Sequence, residues 1–180
     1  MEANMKQLLS DVISKELEIS MMYSDFMAVM QDISLQGFKR YYRCRMKDRV
    51  KHCTMLRNYV SDYHDVCLPI SVSSYAPGAA WATTGIIARV QKVITDDATT
   101  SNEQIVRLEK ISDLAITQEE HDLMGYIEDL IKDQSCELKC LRRIINSWKF
   151  SQQAGDSSWY DRTSKCLHKK YKKREGDYDR

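Results

Sequence analysis

The chain is short of helix and strand breakers. Its 180 residues include two prolines and six glycines, where average usage would give about nine and about thirteen. That scarcity excludes a sandwich or barrel, whose short strands need a turn signal every ~8–12 residues, and it favours a few long helices. A long apolar run is also missing: no stretch of about eighteen apolar residues offers a membrane span. Residues 1–20 carry Glu2, Asp11, Glu16 and Glu18 where a secretory leader would need an apolar core. The expectation is a soluble, cytoplasmic protein with no membrane partner. There is no Gly-rich phosphate loop and no nucleophile elbow. Six cysteines are present without a Cys-x-x-Cys pair, which leaves no zinc-ribbon pattern and points to free thiols in a reducing compartment. Cys136 and Cys140 share a helical face but have no third ligand beside them in the pattern.

Charge of one sign is missing overall and present locally. The net charge of +1 gives no global bias towards nucleic acid or anionic lipid, yet the last twenty residues hold eight Lys/Arg against four Asp/Glu. This basic tail comprises Lys165, Lys169, Lys170, Lys172, Lys173 and Arg174, with Tyr171 inside it.

What is abundant is helical period. Leu9, Val12, Glu16, Ile19, Tyr23, Phe26, Met30 and Ile33 advance by alternating steps of three and four, as a core seam does. A turn at residues 34–37 leads to a second seam, Phe38, Tyr42, Arg45, Arg49, His52, Leu56, Tyr59 and Tyr63. Residues 64–79 contain Pro69, Pro77 and Gly78 and have no period, so they form a long connection. At about 3.3 Å per residue it reaches roughly 50 Å, the length of a long helix, so the helices that it joins can be parallel. A third seam runs from Ile87 through Val90, Ile94, Asp97, Ser101, Gln104, Leu108 and Ile111 to Ala115, and the poor propensity of residues 95–102 predicts a defect at its centre. The fourth is Leu123, Ile127, Leu130, Gln134, Glu137, Leu141, Ile144 and Trp148, and Gly155 marks an elbow before a short fifth helix at about 158–174. The fold class is all-α: a four-helix bundle with one long crossover over 1–157, and a fifth helix with the basic tail over 158–180.

Polar residues fall near the midpoint of every seam: Glu16, then Arg49 and His52, then the stretch from Asp97 to Gln104, then Gln134 and Glu137. Midpoints meet at one depth in a bundle, which predicts a buried polar layer. Such a layer is either a satisfied hydrogen-bond network or a metal site built from carboxylates and a histidine on facing helices.

These residues also carry a resemblance. Glu16-Leu17-Glu18-Ile19-Ser20-Met21-Met22-Tyr23, Leu35-Gln36-Gly37-Phe38-Lys39-Arg40-Tyr41-Tyr42, Asp48-Arg49-Val50-Lys51-His52-Cys53, Tyr126-Ile127-Glu128, Asp133-Gln134 and Trp159-Tyr160-Asp161-Arg162 resemble ferritin subunits over nearly the whole chain. The resemblance implies a ferritin-like bundle. It places Glu16 at the first-helix iron ligand, Tyr23 at the tyrosine beside the ferroxidase centre and His52 at the histidine ligand. Arg49 stands where the family's Glu-x-x-His has its bridging carboxylate, and a guanidinium cannot coordinate iron. Its partner is expected to be Glu16. Ser101 falls at the third-helix carboxylate position, with Asp97 one turn away and Glu103 a register shift away. Gln134 matches a glutamine common in ferritins, and Glu137 an acidic position used in some bacterial ones.

The implied site is therefore vestigial (Glu16, Tyr23, Arg49, His52, Ser101, Gln134), with Glu16, His52, Asp48 and Glu137 as the remaining metal candidates and no catalytic residue expected. Glu128 and Asp129 match channel carboxylates, while Gly125 stands where another acid is expected. The resemblance implies an iron-storage or sequestration subunit, weakly active or inactive as a ferroxidase, in a shell of 24 subunits and co-assembling with an active sister. The other reading is a ferritin-fold structural or chaperone-like shell that binds RNA, another polyanion or protein through the basic tail.

Overall fold

The computed structural model describes residues 2–72 and 85–178. All regular structure among them is helical: α1 Ala3–Asp32, α2 Gln36–His64, α3 Ile86–Thr117, α4 His121–Gln153 and α5 Trp159–Tyr178. The long, breaker-free stretches thus become helices of 29 to 33 residues in the bundle, followed by a fifth of 20. No described helix is long and apolar enough to cross a membrane.

The connections follow from a few backbone exceptions. The α1–α2 hairpin turns at Ser34, which takes a left-handed φ of 61°, and the α3–α4 hairpin turns at Glu119 with φ 57°. Gly37, expected in the first turn, lies instead inside α2, buried against α5. Gly155 adopts φ 68° at the elbow before α5, a conformation that costs glycine little. α2 ends at the left-handed Asp65. From there the crossover runs beside α1: Ser10 donates a hydrogen bond to the Pro69 carbonyl, and the Ser71 amide donates to Ser14 Oγ at 3.1 Å. Pro77 and Gly78 lie outside the described residues.

The register across α1 gives the topology. Glu16 meets Arg49 of α2 and Gln104 of α3, while Tyr23 meets Arg45 of α2 and Asp97 of α3. Both partner helices descend as α1 ascends, so α2 and α3 are parallel, as the long crossover allows. α3 shows no defect: it is continuous through 95–102, where Asp97 and Ser101 are buried. Packing of its apolar stripe outweighs a propensity deficit of a few tenths of a kcal/mol per residue.

The seams divide the core into two apolar clusters. One contains Phe26, Met30, Phe38, Tyr42, Ile94 and Leu141, and the other Leu9, Val12, Leu56, Leu108, Ile111 and Ile127. The polar layer lies between them. Seam ends fray outward: Tyr63 and Ile87 are exposed, and Ile33 and Trp148 are half-buried.

α5 is laid along α2 rather than projecting from the bundle. The Gly37 amide donates to Ser164 Oγ at 3.0 Å, Tyr41 and Tyr171 meet edge-to-face at 5.2 Å, and Arg174 donates to Asp48 at 2.8 Å. Residue numbers rise together along both helices, so the two run parallel. A Cβ on Gly37 would fall 1.7 Å from the Ser164 carbonyl oxygen, so only glycine permits this approach.

Candidate functional site

Helical spacing brings one residue in three or four to the bundle axis, and at mid-height these are polar on all four helices. Glu16 lies at the centre, fully buried. Arg49 Nη1 donates to both of its oxygens, at 3.0 and 3.2 Å, and the amides of Gln104 and Gln134 donate to Oε1 at 2.8 and 2.9 Å. Burial works to raise the Glu16 pKa, but Arg49, His52 and the two amides outweigh it and hold the carboxyl below its ordinary value. The same burial opposes the charge on Arg49, and Glu16 with Tyr23 restores it.

A second set of contacts lies one turn higher. Arg45 Nη2 donates to the Tyr23 hydroxyl at 3.0 Å, Tyr23 donates to Asp97 Oδ1 at 2.8 Å, and Ser101 donates to the same oxygen at 3.1 Å. Arg45 also pairs with Glu137 and stacks over the Tyr23 ring at 5.4 Å. Burial lifts Asp97 above its usual range against the pull of Arg45, Tyr23 and Arg49. Arg49 Nη2 reaches Ser101 at 3.4 Å, joining the two sets into one network.

The expected positions separate on this geometry. Glu16, Tyr23, Arg49, Ser101 and Gln134 are brought together, and the third-helix register resolves to Asp97 and Ser101, since Glu103 is exposed and faces Arg107. His52 is at the margin, its Nδ1 3.9 Å from Glu16 Oε2, and burial lowers its pKa. Of the other two metal candidates, Glu137 is held by Arg45 and Asp48 by Arg174. Among the described residues no three His, Cys, Asp or Glu side chains converge on a metal-sized point. Glu128 and Asp129 lie exposed near the start of α4, and Gly125 beside them faces open space. Lys165, Lys169, Lys170 and Lys172 are exposed, whereas Arg174 is not a free tail cation, because it turns in to Asp48. Cys136 is exposed, and Cys140 lies 3.7 Å from Lys170 Nζ.

The resident di-iron centre that the resemblance implies can be tested against this donor set. The guanidinium of Arg49 lies against both Glu16 oxygens, so a permanent cation already engages the carboxylate. The other carboxylates of the layer and its edge answer to arginine, tyrosine or serine. These residues do not fit two bound cations. The seam reading placed Arg45 on the buried face of α2 but left it out of the midpoint polar set, and nothing in the sequence marked Glu137 as its partner.

Comparison with known proteins agrees with this architecture. No curated protein matches the chain in sequence. Among solved structures, the open-pore ferritin of the hyperthermophilic archaeon Archaeoglobus fulgidus superposes with a TM-score of 0.79 at 14% identity, covering 93% of this chain and 97% of that one. A closed form of the same ferritin, engineered by site-directed mutagenesis, gives 0.78 at 14% identity over 93% and 96%. A humanized archaeal ferritin gives 0.77 at 14% identity over 93% and 95%. A sequence model of the ferritin-like domain matches residues 6–150, and with helices, crossover and polar layer disposed as described, the chain belongs to the ferritin-like family.

Proposed function

We propose that the chain is a cytoplasmic cage subunit that stores or sequesters iron and has no working oxidation centre in its own bundle. The observation that carries this reading is the Arg49–Glu16 pair. At 3.0 Å in a fully buried layer, the guanidinium both neutralises the one central carboxylate and repels an approaching cation. Iron is then cargo, not a resident cofactor. Glu128 and Asp129, exposed on α4, supply carboxylate oxygens of the kind that hard cations meet on entry, and oxidation falls to an active sister subunit or to the growing mineral.

Two measurements test this. Native mass should report a closed shell of about 500 kDa for 24 copies of a 21.0 kDa chain, and a stable monomer would overturn the cage. Stopped-flow mixing of the assembled protein with Fe(II) under air should show slow oxidation without a fast phase. A fast phase that saturates at two Fe(II) per subunit would overturn the absence of a centre.

A further inference from the structure

α5 is tied to α4 by side chains near its start and again further along. Trp159 donates to Ser147 Oγ at 2.8 Å, and Lys170 Nζ lies 3.7 Å from Cys140 Sγ. The second contact sets a primary amine against a thiol from another helix, and neither group belongs to the polar layer. Lys170 is held there from two sides. Its ammonium also sits 5.2 Å from the centre of the Tyr171 ring, and Tyr171 is buried edge-to-face against Tyr41 at 5.2 Å. Burial, and then the neighbouring Cys140, raise the Tyr171 pKa to about 12, so the phenol stays protonated beside the pair.

We propose that Cys140 and Lys170 form a redox clamp: hydrogen peroxide oxidises the sulfur, and the lysine amine closes on it to join α4 and α5 through a sulfur–nitrogen bond. Cys140 is half-buried and Lys170 exposed. The reaction lies within one subunit, and its co-reactant is small and uncharged, so it needs no open face for a macromolecule. In the first step the deprotonated sulfur attacks one peroxide oxygen, the O–O bond breaks and hydroxide leaves. Cys140 becomes a sulfenic acid, the sulfur having lost the two electrons that peroxide gained. Hydroxide takes a proton from the Lys170 ammonium. The free amine then attacks the sulfenic sulfur, the S–O bond breaks and water leaves. In balance, thiol, ammonium and peroxide give a sulfenamide, two waters and a proton. A thiol reductant reverses the clamp: two of its molecules become a disulfide as the S–N bond is cleaved to thiol and amine.

The geometry favours the amine over its rivals. Cys136 lies four residues away on the same helix, where Cβ atoms are about 5–6 Å apart, beyond the ~3.5–4.5 Å that a disulfide spans. A second peroxide must arrive from solution, whereas the amine is already 3.7 Å from the sulfur, and a partner held in place reacts as if at very high concentration. Peroxide is a product of dioxygen reduction by ferrous iron, so its source in the cell rests on the iron-handling reading above. The clamp itself does not.

The test treats the full-length protein with a few equivalents of hydrogen peroxide, caps the remaining thiols with N-ethylmaleimide, and reads intact mass and tryptic peptides without reductant. Before capping, the subunit should be lighter by two hydrogens, and one peptide should join Cys140 to Lys170 until dithiothreitol separates them. Lys170→Arg keeps the positive charge, but its guanidinium stays protonated and is no nucleophile. In that variant the cross-link should vanish and Cys140 should run on to the sulfinic acid, two oxygens heavier. Amides in the last turns of the clamped α5 should exchange about tenfold more slowly than in untreated protein, and dithiothreitol should restore the rate. The inference is overturned if the parent yields only sulfinic or sulfonic acid at Cys140, or if Cys140 is found joined to Cys44 or another thiol. It is also overturned if Lys170→Arg leaves the loss of two hydrogens unchanged or if the clamped α5 exchanges no more slowly. Added peroxide makes each result independent of whether a shell or its iron is found.

Discussion

Arg49 holds both carboxylate oxygens of Glu16, at 3.0 and 3.2 Å, and neither side chain reaches solvent. Such a pair gains little over an apolar replacement but is costly to break on one side, because the survivor keeps a buried charge. Arg49→Met should therefore lower unfolding stability by about 3–5 kcal/mol in urea titrations. Adding Glu16→Gln to it should recover most of that loss, since the remaining amides can bond to one another.

Arg49→Glu places a second carboxylate against Glu16, and like charges buried together disfavour ionisation of both. The apo variant should melt well below the parent, and Zn(II) or Co(II) should raise its Tm by several degrees while leaving the parent unmoved. A variant indifferent to metal would show that the layer cannot become a site through that one residue.

Acid sensitivity should come in two stages. Burial lowers the His52 pKa, so the folded state binds this proton less readily than the unfolded chain. The associated stability is complete above the ordinary value of 6.5 and declines as pH falls below it. The Glu16 carboxyl is also held low, so its contribution is complete above the ordinary 4.5 and is lost as pH falls through its folded value. Urea midpoints measured from pH 7 to pH 3 should fall in both windows, and His52→Gln should remove the first decline and keep the second.

α5 should be held by packing more than by its ion pair. Arg174 is 42% exposed, so Arg174→Ala should cost at most about 1 kcal/mol. Tyr171→Ala removes a buried ring against Tyr41 and should cost about 3 kcal/mol or more in the same titration.

Gly37→Ala should displace α5, because the added methyl meets backbone and not a movable side chain. Trp159 donates to Ser147 Oγ at 2.8 Å and is buried at the start of α5. Its emission should shift to the red in the variant, and amide exchange across α5 should accelerate; unchanged emission and exchange would show that the two helices have slack.

The parts legible in the sequence were those set by period. Helix count, the parallel α2 and α3, and the midpoint layer of Glu16, Arg49, Ser101 and Gln134 follow from apolar spacing and loop length. The continuity of α3 was not legible, because propensity argues locally and packing decides. The partners of Asp48 and Glu137 were hidden for a different reason. They depend on where α5 docks and on which way Arg45 turns, and Asp48 and Arg174 are 126 residues apart with no pattern linking them. The first turn, expected over 34–37, does fall at Ser34, but Gly37 lies inside α2, because glycine serves close packing as readily as turns.

The parallel laying of α5 on α2 also orders events in time. Its contacts join residues separated by as many as 130 positions, Tyr41 to Tyr171, so they close last as the chain grows and folds. Until synthesis has passed Tyr171, the groove over Gly37 and Tyr41 stays open to water and to other nascent chains. Emergence of α5 is thus the step that seals this side of the bundle.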